Sequence, residues 1–303
     1  MITTPTVMIL GAGASCPYGF PLGRDLRNQI CRMGDAEQDD LQFNPDERRL
    51  FEKLRSTLST SGHSSVDAFL ETRQELVEIG KIAIAFQISR LEDESKLFPP
   101  TAPTDSWYES LANLVLPPTL RGLGWGDYSK NLSSLKIITF NYDRSLERYL
   151  TTVANNRLQS DLQSPRPEID ALIVHVHGSL GELSRRSYVP NATADDIRRS
   201  SRSILIVHEA PDESREFKTA KEALRAAQQI LFFGFGYYEP NMKRLGFAPG
   251  PSCSYGASVW AQMVGRNSQE AANLATKYGY KERVLSMNAG APISEALRTL
   301  LPA

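Results

Sequence analysis

Short apolar runs that alternate with helical patterns constrain the fold of this chain more than any other feature. Residues 7–10 are apolar throughout, as expected of a strand that is covered on both faces, and a glycine turn follows at once. Further strands are predicted at residues 135–140, 171–176, 203–207, 230–233, 257–262 and 283–287. The alternation predicts an α/β fold, in which a Rossmann-type parallel sheet with right-handed crossovers is flanked by helices.

The region between the first two predicted strands has a different character. Leucines at helical spacing predict a helix over residues 46–58, and further helices are predicted over residues 65–91 and 107–116. We therefore expect one domain over residues 1–303, with a helical insertion at about residues 34–131.

Composition argues against several classes of protein. The formal net charge is -1, so no global basic field indicates direct nucleic-acid binding. No run approaches the roughly 20 apolar residues of a membrane helix, and the apolar start lacks the basic segment of a signal peptide. The cysteines, Cys16, Cys31 and Cys253, lie far apart and predict neither a disulfide framework nor a four-cysteine zinc site. A cytoplasmic protein with no membrane association is expected.

The glycine turn after the first predicted strand contains Gly11, Ala12, Gly13 and Ser15. Glycines at such a position let the backbone approach a pyrophosphate closely, and the following helix offers free N–H groups and the positive end of its dipole. The dinucleotide-binding fingerprint has a third glycine, but that position is Cys16. A phosphate-binding turn and a plain strand–turn–helix corner are both compatible with this segment.

Asn141 and Asp143 lie at the carboxyl end of the second predicted strand, where ligands collect in open parallel sheets. The Asn141 amide can orient a hydroxyl or a water, and the Asp143 carboxylate can accept a hydrogen bond from an amide N–H. Helix capping is the alternative, because both residue types are common caps.

Two histidines, His175 and His177, lie where a third predicted strand ends, and strand alternation predicts that they share one side of it. A histidine beside a glycine at a strand end suits acid–base chemistry near neutral pH. A buried structural histidine is one alternative and a metal site is another, although no companion cluster lies at ligand spacing. A second glycine turn, with Gly234 and Gly236, follows residues 230–233 and is also compatible with a simple crossover bend.

All four segments follow predicted strands and are expected to converge on one edge of the sheet. As a set they resemble the motifs of the sirtuin-like superfamily, specifically its bacterial members that act on NAD. The resemblance implies that His177, which precedes a glycine, is the catalytic histidine rather than His175. The matching positions, in chain order, are residues 11–15, residues 19–24, Asn141, Asp143, His177, Gly178 and residues 234–236.

The chain departs from the sirtuin pattern at three places. Leu22 and Gly23 replace an Asp-Phe pair, and Gly236 stands where a serine is expected. The segment after His177 lacks the CxxC pairs that build the sirtuin zinc module. The chain therefore resembles the zinc-free sirtuin-like NAD hydrolases that act as effectors in bacterial anti-phage defence, in which a helical insertion is common.

The resemblance also implies roles for the site residues in breaking the nicotinamide–ribose bond of NAD, which gives nicotinamide and ADP-ribose. Asn141 is expected to orient the ribose hydroxyls and an attacking water, and His177 is expected to accept a proton. Asp143 is expected to contact the nicotinamide amide, Arg24 a phosphate or ribose, and Asn288 the adenosine ribose. The remaining contacts to NAD are expected from the two glycine turns: Gly11, Ala12, Gly13, Ser15, Gly234 and Gly236.

NAD is thus the expected ligand, as substrate, and no zinc is expected. Transfer of ADP-ribose or an acyl group to a protein is one alternative, and non-catalytic NAD binding by a sensor subunit is another. The resemblance implies control by assembly into a homo-oligomer, or by a partner protein such as an ATPase or a nucleic-acid-guided protein.

Overall fold

The structure is a computed structural model that describes residues 2–101, 105–116, 125–206, 214–250, 253–262, 268–279 and 292–301. Its strands all pair in parallel in one sheet, with the order β3-β2-β1-β4-β5. The predicted strand at residues 283–287 lies outside the described residues. The strands are β1 (Thr6–Leu10), β2 (Leu135–Thr139), β3 (Ile173–His175), β4 (Gln229–Phe233) and β5 (Ser258–Ala261).

Helices connect and cover these strands, so the predicted class, a Rossmann-type α/β fold with a parallel sheet, is confirmed. The described residues between β1 and β2 contain helices and no strand. No helix in the described part of the chain is both long and apolar enough to cross a membrane. The helices are α1 (Gly23–Arg32), α2 (Asp35–Asp40), α3 (Pro45–Thr60), α4 (Val66–Leu70), α5 (Val77–Ser89), α6 (Glu94–Leu97), α7 (Trp107–Val115), α8 (Trp125–Leu132), α9 (Ser145–Arg157), α10 (Pro167–Leu172), α11 (Ala194–Arg202), α12 (Arg215–Ala226), α13 (Glu239–Arg244), α14 (Ser268–Lys277) and α15 (Ile293–Leu300).

Strand alternation divides the core into two layers, one on each face of the sheet. Met8 and Leu10 belong to a large cluster that includes side chains of α1, α3, α5, α7 and α9. Val7 and Ile9 belong to a second cluster that includes side chains of α12 and α13. A strand buried on both faces requires apolar side chains throughout, which is why β1 has no polar–apolar alternation from Val7 onward.

The long helix predicted over residues 65–91 is wrong, because two helices, α4 and α5, occupy this range. Thr72 Oγ1 donates to the Phe69 carbonyl at 3.0 Å, and the backbone of Arg73 leaves helical geometry. Helix α5 is buried almost all round, with contacts to α1, α3 and α11, whereas α4 is only partly buried. One straight helix could not place α5 among these helices and also leave α4 partly exposed.

The strand predicted at residues 203–207 is also wrong for its described part. Ile204 makes one isolated antiparallel bridge with Gly178, and the Leu205 N–H donates to the His177 carbonyl at 2.9 Å. Helix α11, which precedes it, and α10, which occupies the start of the strand predicted at residues 171–176, were not foreseen. Residues 203–206 therefore bind the turn after β3 rather than extend the sheet.

Candidate active site

The strand order reverses at β1, which has β2 on one side and β4 on the other. Connections leave opposite faces of a sheet at such a point, and a crevice opens beyond the carboxyl ends of the strands. A cavity of about 390 Å³ lies there. It brings together five of the predicted site residues: Gly11, Ala12, Asn141, His177 and Gly236.

The two glycine turns contact each other directly, backbone against backbone. The Gly13 N–H donates to the Gly234 carbonyl at 3.0 Å, and the Gly11 N–H donates to the Phe233 carbonyl at 3.0 Å. A Cβ on Gly234, whose φ is +58°, would lie 2.1 Å from the Ala14 nitrogen. The contact between the two turns by itself explains why glycine is needed at Gly234, whether or not a ligand binds there. The pyrophosphate contact predicted for these residues stays a prediction.

The Asn141 side chain joins the end of β2 to the glycine turn of β1. Its Nδ2 donates to the Gly11 carbonyl and to Ser15 Oγ, both at 3.0 Å. Because a carbonyl oxygen only accepts, this contact fixes which end of the amide is nitrogen. Among the described residues Oδ1 has no hydrogen-bond partner, so Asn141 keeps an acceptor available at a cavity it lines.

Asp143 and Ser15 lie behind Asn141 and line a separate cavity of about 10 Å³. Ser145 Oγ donates to the Asp143 carboxylate, and Tyr108 Oη lies 2.7 Å from Ser145 Oγ. Burial raises the pKa of Asp143 although Ser145 and Ser15 hydrogen bonds oppose the shift. A contact between Asp143 and nicotinamide would require this small cavity to widen.

A buried ion pair anchors the turn that carries Asn141 and Asp143. Arg144 binds Glu92 through two hydrogen bonds, Nε to Oε1 at 2.8 Å and Nη2 to Oε2 at 2.7 Å. Both side chains are almost fully buried, and a bidentate pair has a well-defined geometry. The pair links the start of α9 to the segment after α5, and so fixes the wall of the cavity.

The expectation that His175 and His177 share one side of the strand is wrong. Strand β3 ends at His175, whose Nδ1 lies 2.8 Å from the Asn141 carbonyl and whose Nε2 contacts Glu147. Burial lowers the pKa of His175, but the Glu147 carboxylate outweighs it and the pKa is raised overall. The chain then turns, and His177 packs edge-on against Phe140 and lines the cavity.

Gly178 makes this turn possible. Its φ is +70°, and a Cβ there would lie 1.8 Å from the Ser203 carbonyl oxygen. Its bridge with Ile204 and the bond from the Leu205 N–H to the His177 carbonyl hold the backbone of the histidine on both sides. The glycine after His177 is therefore required by backbone geometry.

His177 is 5% exposed and receives a hydrogen bond from Arg244, whose Nη1 lies 3.2 Å from Nε2. Arginine only donates, so Nε2 accepts and the ring proton resides on Nδ1. Burial, and secondarily the Arg244 charge, lowers the pKa of His177 to about 3. The imidazole is thus neutral at pH 7 and able to accept a proton, but the guanidinium opposes its protonation.

Residues 135–247 match a family model described as the SIR2-like domain. This segment includes β2, β3 and β4 and the site residues Asn141, Asp143, His177, Gly234 and Gly236. The match supports the sirtuin-like family and fits an NAD-related function. A search of curated proteins finds no match to the chain. Within the described residues, no group of three or more His, Cys, Asp or Glu side chains is placed to hold a metal ion.

Of the residues predicted to contact NAD, Arg24 does not line the cavity and Asn288 is not among the described residues. Arg24 is exposed near the start of α1, beside Gly23, which lines the cavity. Asn288 lies outside the described residues. Gly13 and Gly234 support the cavity from behind through the contact of the two turns.

The position of Gly236 leads to a prediction for the candidate active site. A Cβ at this residue meets no atom within 4 Å, so the serine found there in sirtuins has room. We expect Gly236→Ser to change the free energy of unfolding by no more than about 0.5 kcal/mol, as for an unhindered surface change. Urea denaturation measures this, and a loss several times larger would show that the cavity does not accept a side chain there.

The low pKa of His177 leads to a second prediction, on acid stability. A histidine in the unfolded chain titrates near a pKa of about 6.5, against about 3 for folded His177, so the unfolded state binds the extra proton between these values. The contribution of neutral His177 to the free energy of unfolding is complete above pH 6.5 and is lost as the pH falls towards 3. Between pH 6.5 and 3 we expect the free energy of unfolding of His177→Gln to fall less steeply with decreasing pH than that of the parent protein, by up to about 1.4 kcal/mol per pH unit.

Urea denaturation at stepped pH measures this slope. His63→Gln is the matched control, because His63 packs near Phe69 and does not line the cavity. Equal slopes for His177→Gln and the parent protein would contradict the prediction.

Sequence reasoning missed several side chains that line the cavity. Asp67 and Glu71 come from α4 and the residue that follows it, and Tyr238 and Asn241 follow the second glycine turn. Asn241 Oδ1 is buried and has no hydrogen-bond partner among the described residues. The sequence gives no sign that Asp67 lines a cavity. It lies in the first turn of α4, two residues after the capping Ser65, where an acidic residue is ordinary.

A second cavity, of about 410 Å³, lies at the opposite edge of the sheet. Its walls include Thr6, Lys136 and Ala227, near the amino ends of the strands. Ligands of open parallel sheets bind beyond the carboxyl ends, so the cavity with Asn141 and His177 is the candidate active site.

Proposed function

We propose that this protein is an NAD glycohydrolase that cleaves the nicotinamide–ribose bond. Water adds to C1′ of the ribose as the C1′–N bond breaks, and the bonding electrons neutralise the departing nicotinamide. The proton of the attacking water passes to His177 and then to solvent. The products are nicotinamide, ADP-ribose and one proton.

One observation carries this proposal: Asn141 and His177 line the same cavity at the point where the strand order reverses. This is where dinucleotides bind in folds of this type. Both residues also lie within the segment that matches the SIR2-like domain.

Each of the two side chains has a role that suits its contacts. The Asn141 amide is held by Gly11 and Ser15, and its Oδ1 is available to orient a ribose hydroxyl or the water. The neutral His177 imidazole accepts the proton, a contribution of about 10²–10⁴-fold for a well-placed base. Proton acceptance at Nε2 requires the contact with Arg244 to separate when NAD is bound.

In its biological role, we propose a bacterial anti-phage effector that depletes NAD. Such an activity needs restraint, and self-assembly or a partner, such as an ATPase or a nucleic-acid-guided protein, would supply it. The resemblance of the motif set to zinc-free NAD hydrolases supports this proposal.

The test is to incubate the purified protein with NAD, alone and with the product of its neighbouring gene, and to quantify nicotinamide and ADP-ribose. Equal amounts of the two products support hydrolysis. Nicotinamide with ADP-ribose attached to protein would identify a transferase instead. No nicotinamide under either condition would overturn the proposed activity.

A non-catalytic NAD sensor is the second candidate, and the Arg244–His177 contact favours it, because a base held by a cation is poorly suited to accept a proton. Thermal stabilisation by NAD without release of nicotinamide under either condition would support the sensor.

A further inference from the structure

The cavity wall formed by α4 is acidic. Asp67 lies in α4, and Glu71 follows four residues later, immediately after the helix ends. Residues four apart on a helix lie on the same face, and both line the cavity that contains Asn141 and His177. Among the described residues that line it, none is a lysine or an arginine.

Asp67 is fixed in place by the residue after Asn141. The Tyr142 hydroxyl donates to Asp67 Oδ1, and Tyr142 is itself only 7% exposed. This bond joins α4 to the end of β2, so the carboxyl group is positioned on the same segment that holds Asn141. Burial raises the pKa of Asp67, with the Tyr142 hydrogen bond opposing the shift. A buried carboxylate is stabilised by a nearby cation, and none of the described side chains that line the cavity is a lysine or an arginine.

NAD carries its charges at two separate places. The pyrophosphate is negative, whereas the nicotinamide ring of the oxidised form is positive and becomes neutral in NADH. Carboxylates attract the ring and repel the pyrophosphate. The acidic wall therefore matches the nicotinamide end of the molecule.

We propose that Asp67 and Glu71 make the cavity selective for the cationic nicotinamide ring of oxidised NAD over the neutral ring of NADH. This inference rests on the proposed function, since it concerns the same cavity and ligand. It adds two specificity-determining residues and an orientation in which the nicotinamide end faces α4.

The test uses carba-NAD and its reduced form. In carba-NAD a carbocycle replaces the ribose that carries nicotinamide, so that the bond to nicotinamide is not hydrolysed. The two probes differ mainly in the charge of the ring. Calorimetry on the full chain measures both dissociation constants. We expect the parent protein to bind the oxidised probe at least about tenfold more tightly, a difference of about 1.4 kcal/mol.

Asp67→Asn keeps an oxygen that can accept from Tyr142 and replaces the other carboxylate oxygen with an uncharged NH2 group. It is expected to reduce the preference for the oxidised probe to about threefold or less, with little effect on the reduced probe, and Glu71→Gln is expected to act in the same direction. Asp46→Asn is the matched control, because Asp46 is highly exposed on α3 and does not line the cavity. It should leave the preference unchanged.

The outcomes separate the two proposals. Equal affinity of the parent protein for both probes, or a preference that Asp67→Asn leaves intact, overturns the selectivity and leaves the proposed function standing. Failure of both probes to bind, with and without the product of the neighbouring gene, overturns the proposed function and the selectivity with it.

Discussion

Replacing His177 with alanine is expected to lower the rate of nicotinamide release from NAD by about 10²–10⁴-fold, the usual contribution of a positioned acid–base group. The imidazole is neutral at pH 7 and lines the cavity, so its loss removes the proposed proton acceptor. Asn141→Ala is expected to cause a comparable loss, because it removes the amide oxygen that would orient the ribose or the water. Chromatographic quantification of nicotinamide measures both effects.

The variants also remove packing and hydrogen bonds, so folding must be measured beside activity. His177 contacts Phe140, and Asn141 holds Gly11 and Ser15. Circular dichroism and thermal unfolding establish whether each variant is folded at the assay temperature. His63→Ala is the control and should retain activity. Full release of nicotinamide by folded His177→Ala and Asn141→Ala would rule out the assignment of these roles.

Gly178→Ala is expected to destabilise the protein by at least about 3 kcal/mol, near the upper end for single substitutions. The added Cβ would lie 1.8 Å from the Ser203 carbonyl oxygen, at a φ of +70°. Relief of this overlap requires residues 203–205 to move away from the turn that carries His177. We therefore expect loss of stability together with loss of the cavity, as measured by urea denaturation and NAD binding.

Gly62→Ala separates the two causes of that loss. Gly62 has a similar φ of +72°, but a Cβ there meets no atom within 4 Å. Gly62→Ala should therefore lower the free energy of unfolding by only about 1–2 kcal/mol, the penalty for an alanine in the left-handed conformation. Equal losses for the two variants would mean that the contact with Ser203 contributes nothing.

The sheet was predictable because its strands are local and apolar. In β1 each side chain from Val7 to Leu10 is buried, and β2 and β4 are each buried at all but one position, so short apolar runs mark these strands directly. The glycine turn, Asn141 and His177 each follow such a run. Their common location then follows from the rule that ligands collect at the carboxyl ends of parallel strands.

The electrostatic partners of the site were not predictable, because they come from distant parts of the sequence. Arg244 contacts a histidine 67 residues earlier in the chain, and Tyr142 binds an aspartate 75 residues earlier. No local spacing signals these contacts. The break between α4 and α5 was missed for a related reason, since burial of α5 on all sides depends on helices that pack around it.

The backbone contact between the turns at Gly13 and Gly234 has a consequence for synthesis of the chain. More than two thirds of the polypeptide separates these residues, and β4 must pair with β1 before the crevice has two walls. A nascent chain still attached to the ribosome at residue 228 has every catalytic candidate but no assembled cavity. Under the proposed function, unfinished chains would therefore lack the cavity in which NAD is hydrolysed.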